Sequence, residues 1–349
     1  MKAPVRSRCS SLPDRAAGIL HSIVHAYIES GEPVSSRSIS RGKGTHLSPA
    51  SIRNIMADLS DAGYLSQPHT SAGRVPTVCA FHEYVQSIQV SRGLNAEVSR
   101  LRQQIRSLDS IEARVERSSI VLMEISRNMG IAAAIPSASQ ILHQVELISL
   151  SERRVLMIVV TGDRMVREKV VAVESDISQQ ELVSLRNYIN GEFSGWTFSA
   201  LQQELTARLE QERAVYDWLM KKLALLVNKG LLDVGLTPSL HTEGATNLLG
   251  VDLHLTRERM QALLKTLEGK KRILELLDQF LEPSGEVEVR VGLGEAHPSM
   301  DELSLIGLTI PLQDGLSAKI AVLGPMRMNY ERVMNAVYHV GQALQSSAP

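Results

Sequence analysis

The chain has 349 residues, 44% of them apolar and 21% charged, with a formal net charge of −1 and two cysteines. This is an ordinary globular composition with enough chain for two or three domains; it excludes a disulfide framework and suits a reducing compartment. The longest apolar run, Val155–Val160, is too short to span a bilayer, and no apolar segment follows Lys2, Arg6 and Arg8, so neither membrane insertion nor a secretion signal is expected and the expected location is the cytoplasm.

Charge is unevenly spread. Residues 1–90 hold nine Lys/Arg against six Asp/Glu, a local +3 that leaves −4 for the remainder, and five of the ten histidines. The excess is mild and gives only weak support for nucleic-acid contact at this end.

In chain order, a helix is predicted from Asp14, which can cap it. Ile19, Leu20, Ile23, Val24, Tyr27 and Ile28 form its apolar stripe, and Gly31 ends it. Glu32-Pro33-Val34 is extended, because the residue before a proline avoids the helical region. Ser35 or Ser36 then caps a short helix through Ile39, and Arg41-Gly42-Lys43-Gly44-Thr45-His46 is a turn rich in glycine and positive charge.

The next helix is marked at both ends. Ser48 supplies an N-cap, Pro49 takes the first helical position, and Gly63 suits the left-handed position past the end. Ile52, Ile55, Met56 and Leu59 make one apolar stripe; the opposite face carries Ala50, Asn54, Ala57 and Asp61, with Arg53 on its edge. Small and hydrogen-bonding side chains are what a helix needs to reach base edges in the major groove. Taken alone, the segment reads better as an ordinary surface helix. Its flanks change that. Tyr64-Leu65-Ser66 is followed by the polar stretch Gln67–Thr77, which reads as two short strands joined by an exposed loop, and Thr77 can cap a helix with Phe81, Tyr84, Val85 and Ile88 in its stripe. Three helices and a β-loop make a winged helix-turn-helix, used for DNA or, in the plainer alternative, for protein contacts.

Three blocks are more specific: Gly31-Glu32-Pro33-Val34, Leu47–Asn54, and Gln67-Pro68-His69-Thr70-Ser71-Ala72-Gly73-Arg74-Val75-Pro76-Thr77. Together with Gly324-Pro325-Met326-Arg327-Met328-Asn329-Tyr330 near the other end, they resemble the heat-inducible transcription repressor HrcA family over essentially the whole chain. Departures are Ser35 and Ala80 where that family usually has glycine, His82 where it usually has arginine, and Met326 for the usual threonine. A phosphate contact from the helix after the wing is therefore either absent or made pH-dependent through His82.

The resemblance implies a repressor that binds an inverted-repeat operator ahead of chaperone operons as a homodimer, with the chaperonin as the partner that keeps it active. The expected DNA contacts are Arg53 and Asn54 to base edges or adjacent phosphate, Ser48 and Ser51 to phosphate near the helix N-terminus, and His69, Thr70, Ser71 and Arg74 from the wing. No cofactor, metal or catalysis is expected.

Beyond residue 90, Leu94–Asn128 reads as helical, and its early arginines as a solvated face. Residues 145–150, 155–161 and 165–173 alternate as an antiparallel meander, followed by helices near 178–190 and 199–229. Residues 235–250 read as a loop, 257–280 as a helix, and 287–293, 303–311 and 318–323 as strands before a last helix from about Met326. The expected fold class is α+β: a winged helix at 1–90, a GAF-like domain at 95–140 plus 231–349, and an inserted dimerisation domain at 141–230. The GAF-like part and the insertion come from the resemblance. A ligand-responsive regulator, using the GAF-like part as a small-molecule sensor, is the alternative.

Three chemical patterns have plainer readings. Cys79 and His82 have ligand spacing without a second ligand pair, and read as a packing thiol and a surface imidazole. Gly292-Leu293-Gly294 reads as a turn, and Glu295, His297 and Asp301 as a polar loop.

Overall fold

The computed structural model describes residues 12–42, 47–69, 72–90, 96–137, 139–162, 165–174, 176–211, 217–250, 256–312 and 315–345. The first part is a helical trio, α1 (Asp14–Ser30), α2 (Ser36–Ser40) and α3 (Pro49–Asp61), then a two-stranded wing, β1 (Leu65–Ser66) and β2 (Val75–Pro76), and α4 (Val78–Gln86). Cap chemistry sets most of the ends. Ser35 accepts from the Ser38 N–H, Ser48 from the Ser51 N–H, and Gly31 closes α1 at φ +73°. Two predicted caps are corrected. Pro13, not Asp14, precedes α1, and the Thr77 hydroxyl turns back to the Gly63 and Tyr64 carbonyls instead of capping α4.

Two helices follow, α5 (Ala96–Arg106) and α6 (Ile111–Ser126), broken by a turn from which Ser110 caps the second. The strands β3 (Met129–Pro136), β7 (Ser239–Glu243), β8 (Glu288–Val291), β9 (Leu303–Pro311) and β10 (Leu316–Pro325) form an antiparallel sheet ordered β7-β3-β10-β9-β8. The predicted loop over 235–250 is thus in part an edge strand. Alternation puts the two side-chain sets of the inner strands β3, β10 and β9 into different cores. On β10, Ile320 and Val322 join α1, α3, α4, α6 and the last helix, α13 (Tyr330–Gln345), whereas Ala321 and Leu323 join α11 (Arg257–Glu268) and α12 (Lys270–Phe280).

Between β3 and β7 the chain leaves this sheet. It builds a separate antiparallel sheet of β4 (Leu142–Leu150), β5 (Arg154–Thr161) and β6 (Val166–Ala172), then α7 (Gln179–Phe193), α8 (Phe198–Gln211), α9 (Asp217–Asn228) and α10 (Leu231–Gly235). Val145, Leu147, Val155, Met157, Val159 and Val171 meet the four helices in a core of their own, to which α10 adds Leu231, Leu232 and Val234. No helix among the described residues is long and apolar enough to cross a membrane.

Candidate nucleic-acid interface

The apolar stripe of α3 is used as its period requires. Ile52, Met56 and Leu59 are 0%, 4% and 1% exposed in a core shared with Ile19, Leu20, Ile23 and Val24 of α1 and Ile39 of α2. The opposite face stands clear: Ala50, Arg53, Asn54, Ala57, Asp58 and Asp61 are all exposed. Neither the Arg53 guanidinium nor the Asn54 amide is engaged by another described side chain. The Ser48 hydroxyl caps the helix and lies 3.0 Å from the Ser51 hydroxyl, so the two form one polar pair at the N-terminus of α3.

The wing is tied to the extended block before α2. Val34 and Arg74 exchange backbone hydrogen bonds of 2.9 and 2.8 Å. Gly73 passes so close that an added Cβ would lie 2.5 Å from the Val34 carbonyl oxygen. The Arg74 guanidinium donates to the exposed Gln67 side-chain oxygen, while the Gln67 amide donates to the Ala72 carbonyl. Arg74 therefore also braces the wing at its surface, a role its position in the sequence does not reveal. His69 is exposed at the wing's rim. Thr70 and Ser71 lie outside the described residues.

The helix after the wing faces elsewhere. Ala80 and Phe81 of α4 are 0% and 1% exposed, and Phe81 meets Tyr330, at the start of α13, with ring centroids 6.1 Å apart. Tyr84 and Tyr27 complete the aromatic cluster, and the Tyr330 hydroxyl lies 3.0 Å from that of Ser304. The Arg327 guanidinium lies across Gly31, so the first and last signature blocks touch. His82 is half-buried where α4 packs on β8, and its pKa is lowered by burial and then by the Arg290 charge. His82 thus packs at the contact between α4 and β8, beside Arg290.

Cys79 is partly buried on α4 and packs against the core that α1, α3 and α13 share. Gly292 is a turn residue at φ +71°, and the His297 ring nitrogen accepts from the Ser299 N–H at the start of a single helical turn. Among the described residues no three His, Cys, Asp or Glu side chains are grouped to hold a metal ion.

Residues 112–334 match the family model described as the HrcA protein C-terminal domain. The chain is 32% identical over 331 residues to the heat-inducible transcription repressor HrcA of Syntrophobacter fumaroxidans, covering 94% of this chain and 95% of that one. The chain belongs to the HrcA family. A second HrcA repressor, from Geobacter sulfurreducens, is 33% identical over 94% of this chain and 96% of its own length. The fold is shared with a crystal structure described as that of a hypothetical protein, at a TM-score of 0.58 and 21% identity over 96% of both chains. Gly31, Gly73, Arg74 and Arg327 form the contacts that tie the wing to the extended block before α2 and α1 to the block before α13.

Proposed function

We propose that this HrcA family member is a dimeric repressor of heat-shock chaperone operons that reads an inverted-repeat operator. One observation carries this reading: α3 presents a polar face, unpartnered among the described residues, beside a wing. Arg53 and Asn54 would contact base edges, Ser48 and Ser51 the phosphate at the helix N-terminus, and His69, Thr70, Ser71 and Arg74 the backbone along the wing. A gel shift with the inverted repeat of a chaperone promoter tests this, against a scrambled duplex at physiological salt. Equal retention of both duplexes would sink it.

Dimerisation is assigned to the inserted unit, taken as 141–235 so that it includes α10, within a GAF-like domain of about 95–140 and 236–349. The support is the outer face of β4–β5–β6. Ile148, Leu156 and Val170 lie opposite one another across the three strands, as do Gln144, Val160 and Val166. Val166 and Val170 are 62% and 50% exposed, a large apolar exposure for one small sheet. Two such faces brought together would match the two half-sites of a palindrome.

Dependence on the chaperonin is part of the same proposal. The five-stranded sheet is completed only when β7–β10 return after the insertion, and such long-range closure slows folding and exposes apolar surface. Refolding with and without chaperonin, followed by operator binding, tests it; equal recovery of binding would refute it. A small-molecule sensor in the GAF-like part has less support. Both faces of its sheet are filled by side chains, and a groove of about 870 Å³ lies at the joint with the winged helix, lined by Glu32, His69, Glu302 and Arg327 among others.

A further inference from the structure

We infer that Arg37 and Arg41 of the α2 segment form a two-pronged clamp on the DNA backbone that seats α3 in the major groove. The inference rests on the DNA-binding reading above and extends the interface to a helix that reading leaves unused. α2 buries one side chain, Ile39, at 5% exposure. Arg37 and Arg41 lie two residues either side of it, about 200° around the helix in each direction, so both leave on the face opposite the core. They are four positions apart and so stack along one edge.

Both are exposed, and among the described residues neither guanidinium has a carboxylate or other hydrogen-bonding partner; Arg37 is bonded only through its carbonyl oxygen, which accepts from the Ser40 hydroxyl. Two like charges one turn apart repel. No described residue offsets that repulsion, whereas an anionic strand along this edge would. Guanidinium groups suit phosphate because their N–H donors can engage two oxygens at once.

The placement is fixed relative to α3. α2 packs on α3 through Ile39, and the Ser35 cap sets its start. In a helix-turn-helix the helix before the reading helix crosses the backbone. Charge along α3 points the same way. Arg53 lies in its first half, and Asp58 and Asp61 are exposed in its second, so phosphates are drawn to the N-terminal half and repelled from the rest. Entry by that half brings the α2 edge over the flanking strand.

The test is the salt dependence of binding by the full chain to two duplexes of equal length, one carrying the inverted repeat of a chaperone promoter and one of random sequence. Arg37→Ala/Arg41→Ala removes two contacts from each protomer of the dimer, so it should weaken both equally and reduce the slope of log K against log salt by about 4, leaving their affinity ratio unchanged. Arg37→Lys/Arg41→Lys should keep the parental slope, because a point charge still displaces a counterion. Asn54→Ala should do the reverse of the double alanine variant, keeping the slope and losing the ratio. A parental slope in the double alanine variant overturns the clamp alone, as does an equal reduction of slope in the lysine variant. If the parent binds neither duplex, the DNA-binding reading and the clamp both fall.

Discussion

His82 sits where burial and the Arg290 charge both favour its neutral form, so its folded-state pKa lies below the ordinary 6.5. The unfolded chain therefore takes up the proton first. Its contribution is complete above about pH 6.5 and declines as pH falls from there toward the folded value. The melting temperature should drop over that interval, and His82→Gln should flatten the drop; an unchanged profile would remove His82 from the joint. Arg53 and Asn54 are a different case. Their exposure follows from helical period alone, so the sequence was sufficient to place them. Replacing either with alanine should cost about 1–3 kcal/mol of discrimination at each base pair it reads, measured as the affinity ratio between operator and mutated operator. Arg74 and His82 were not legible in this way. Their surroundings are supplied by Gln67 and Val34 in one case and by Arg290, more than 200 residues away in sequence, in the other.

Elements built from capped, amphipathic stretches were readable. Ser35, Ser48, Gly31 and Gly63 mark ends that the structure keeps. Elements whose identity comes from their neighbours were not. Within β3, residues 130–134 read Gly-Ile-Ala-Ala-Ala, a composition with little strand preference, yet it is the central partner of β7 and β10. β7 carries Gly- and Thr-rich flanks and is a strand only because β3 pairs with it. The predicted helix over 257–280 bends into α11 and α12 at Gly269, an extended residue at the junction. At Gly31 both conformation and space are demanding, since φ is positive and Arg327 covers the position. Gly31→Ala should destabilise the protein by about 1–2 kcal/mol from the left-handed backbone alone. Adding Arg327→Ala should relieve only the crowding, a partial rescue measurable by denaturant unfolding.

At the scale of the molecule, three hydrophobic cores divide the chain, and the first joins the winged helix to α5, α6, α13 and one face of the five-stranded sheet. The outer face of the smaller sheet belongs to none of them. Val170→Asp, exposed in the single chain, should leave the fold intact and shift the protein from dimer to monomer in analytical ultracentrifugation, with operator affinity falling in parallel. A dimer that survives this change would place the interface elsewhere. The cluster of Tyr27, Phe81, Tyr84 and Tyr330 has a consequence in time. Phe81 leaves the ribosome about 250 residues ahead of Tyr330, roughly 12–50 s at about 5–20 residues per second. The winged helix is made well before Tyr330, the ring that fastens it. Until then Phe81 and its neighbours wait uncovered, and the order of synthesis opposes the order of closure.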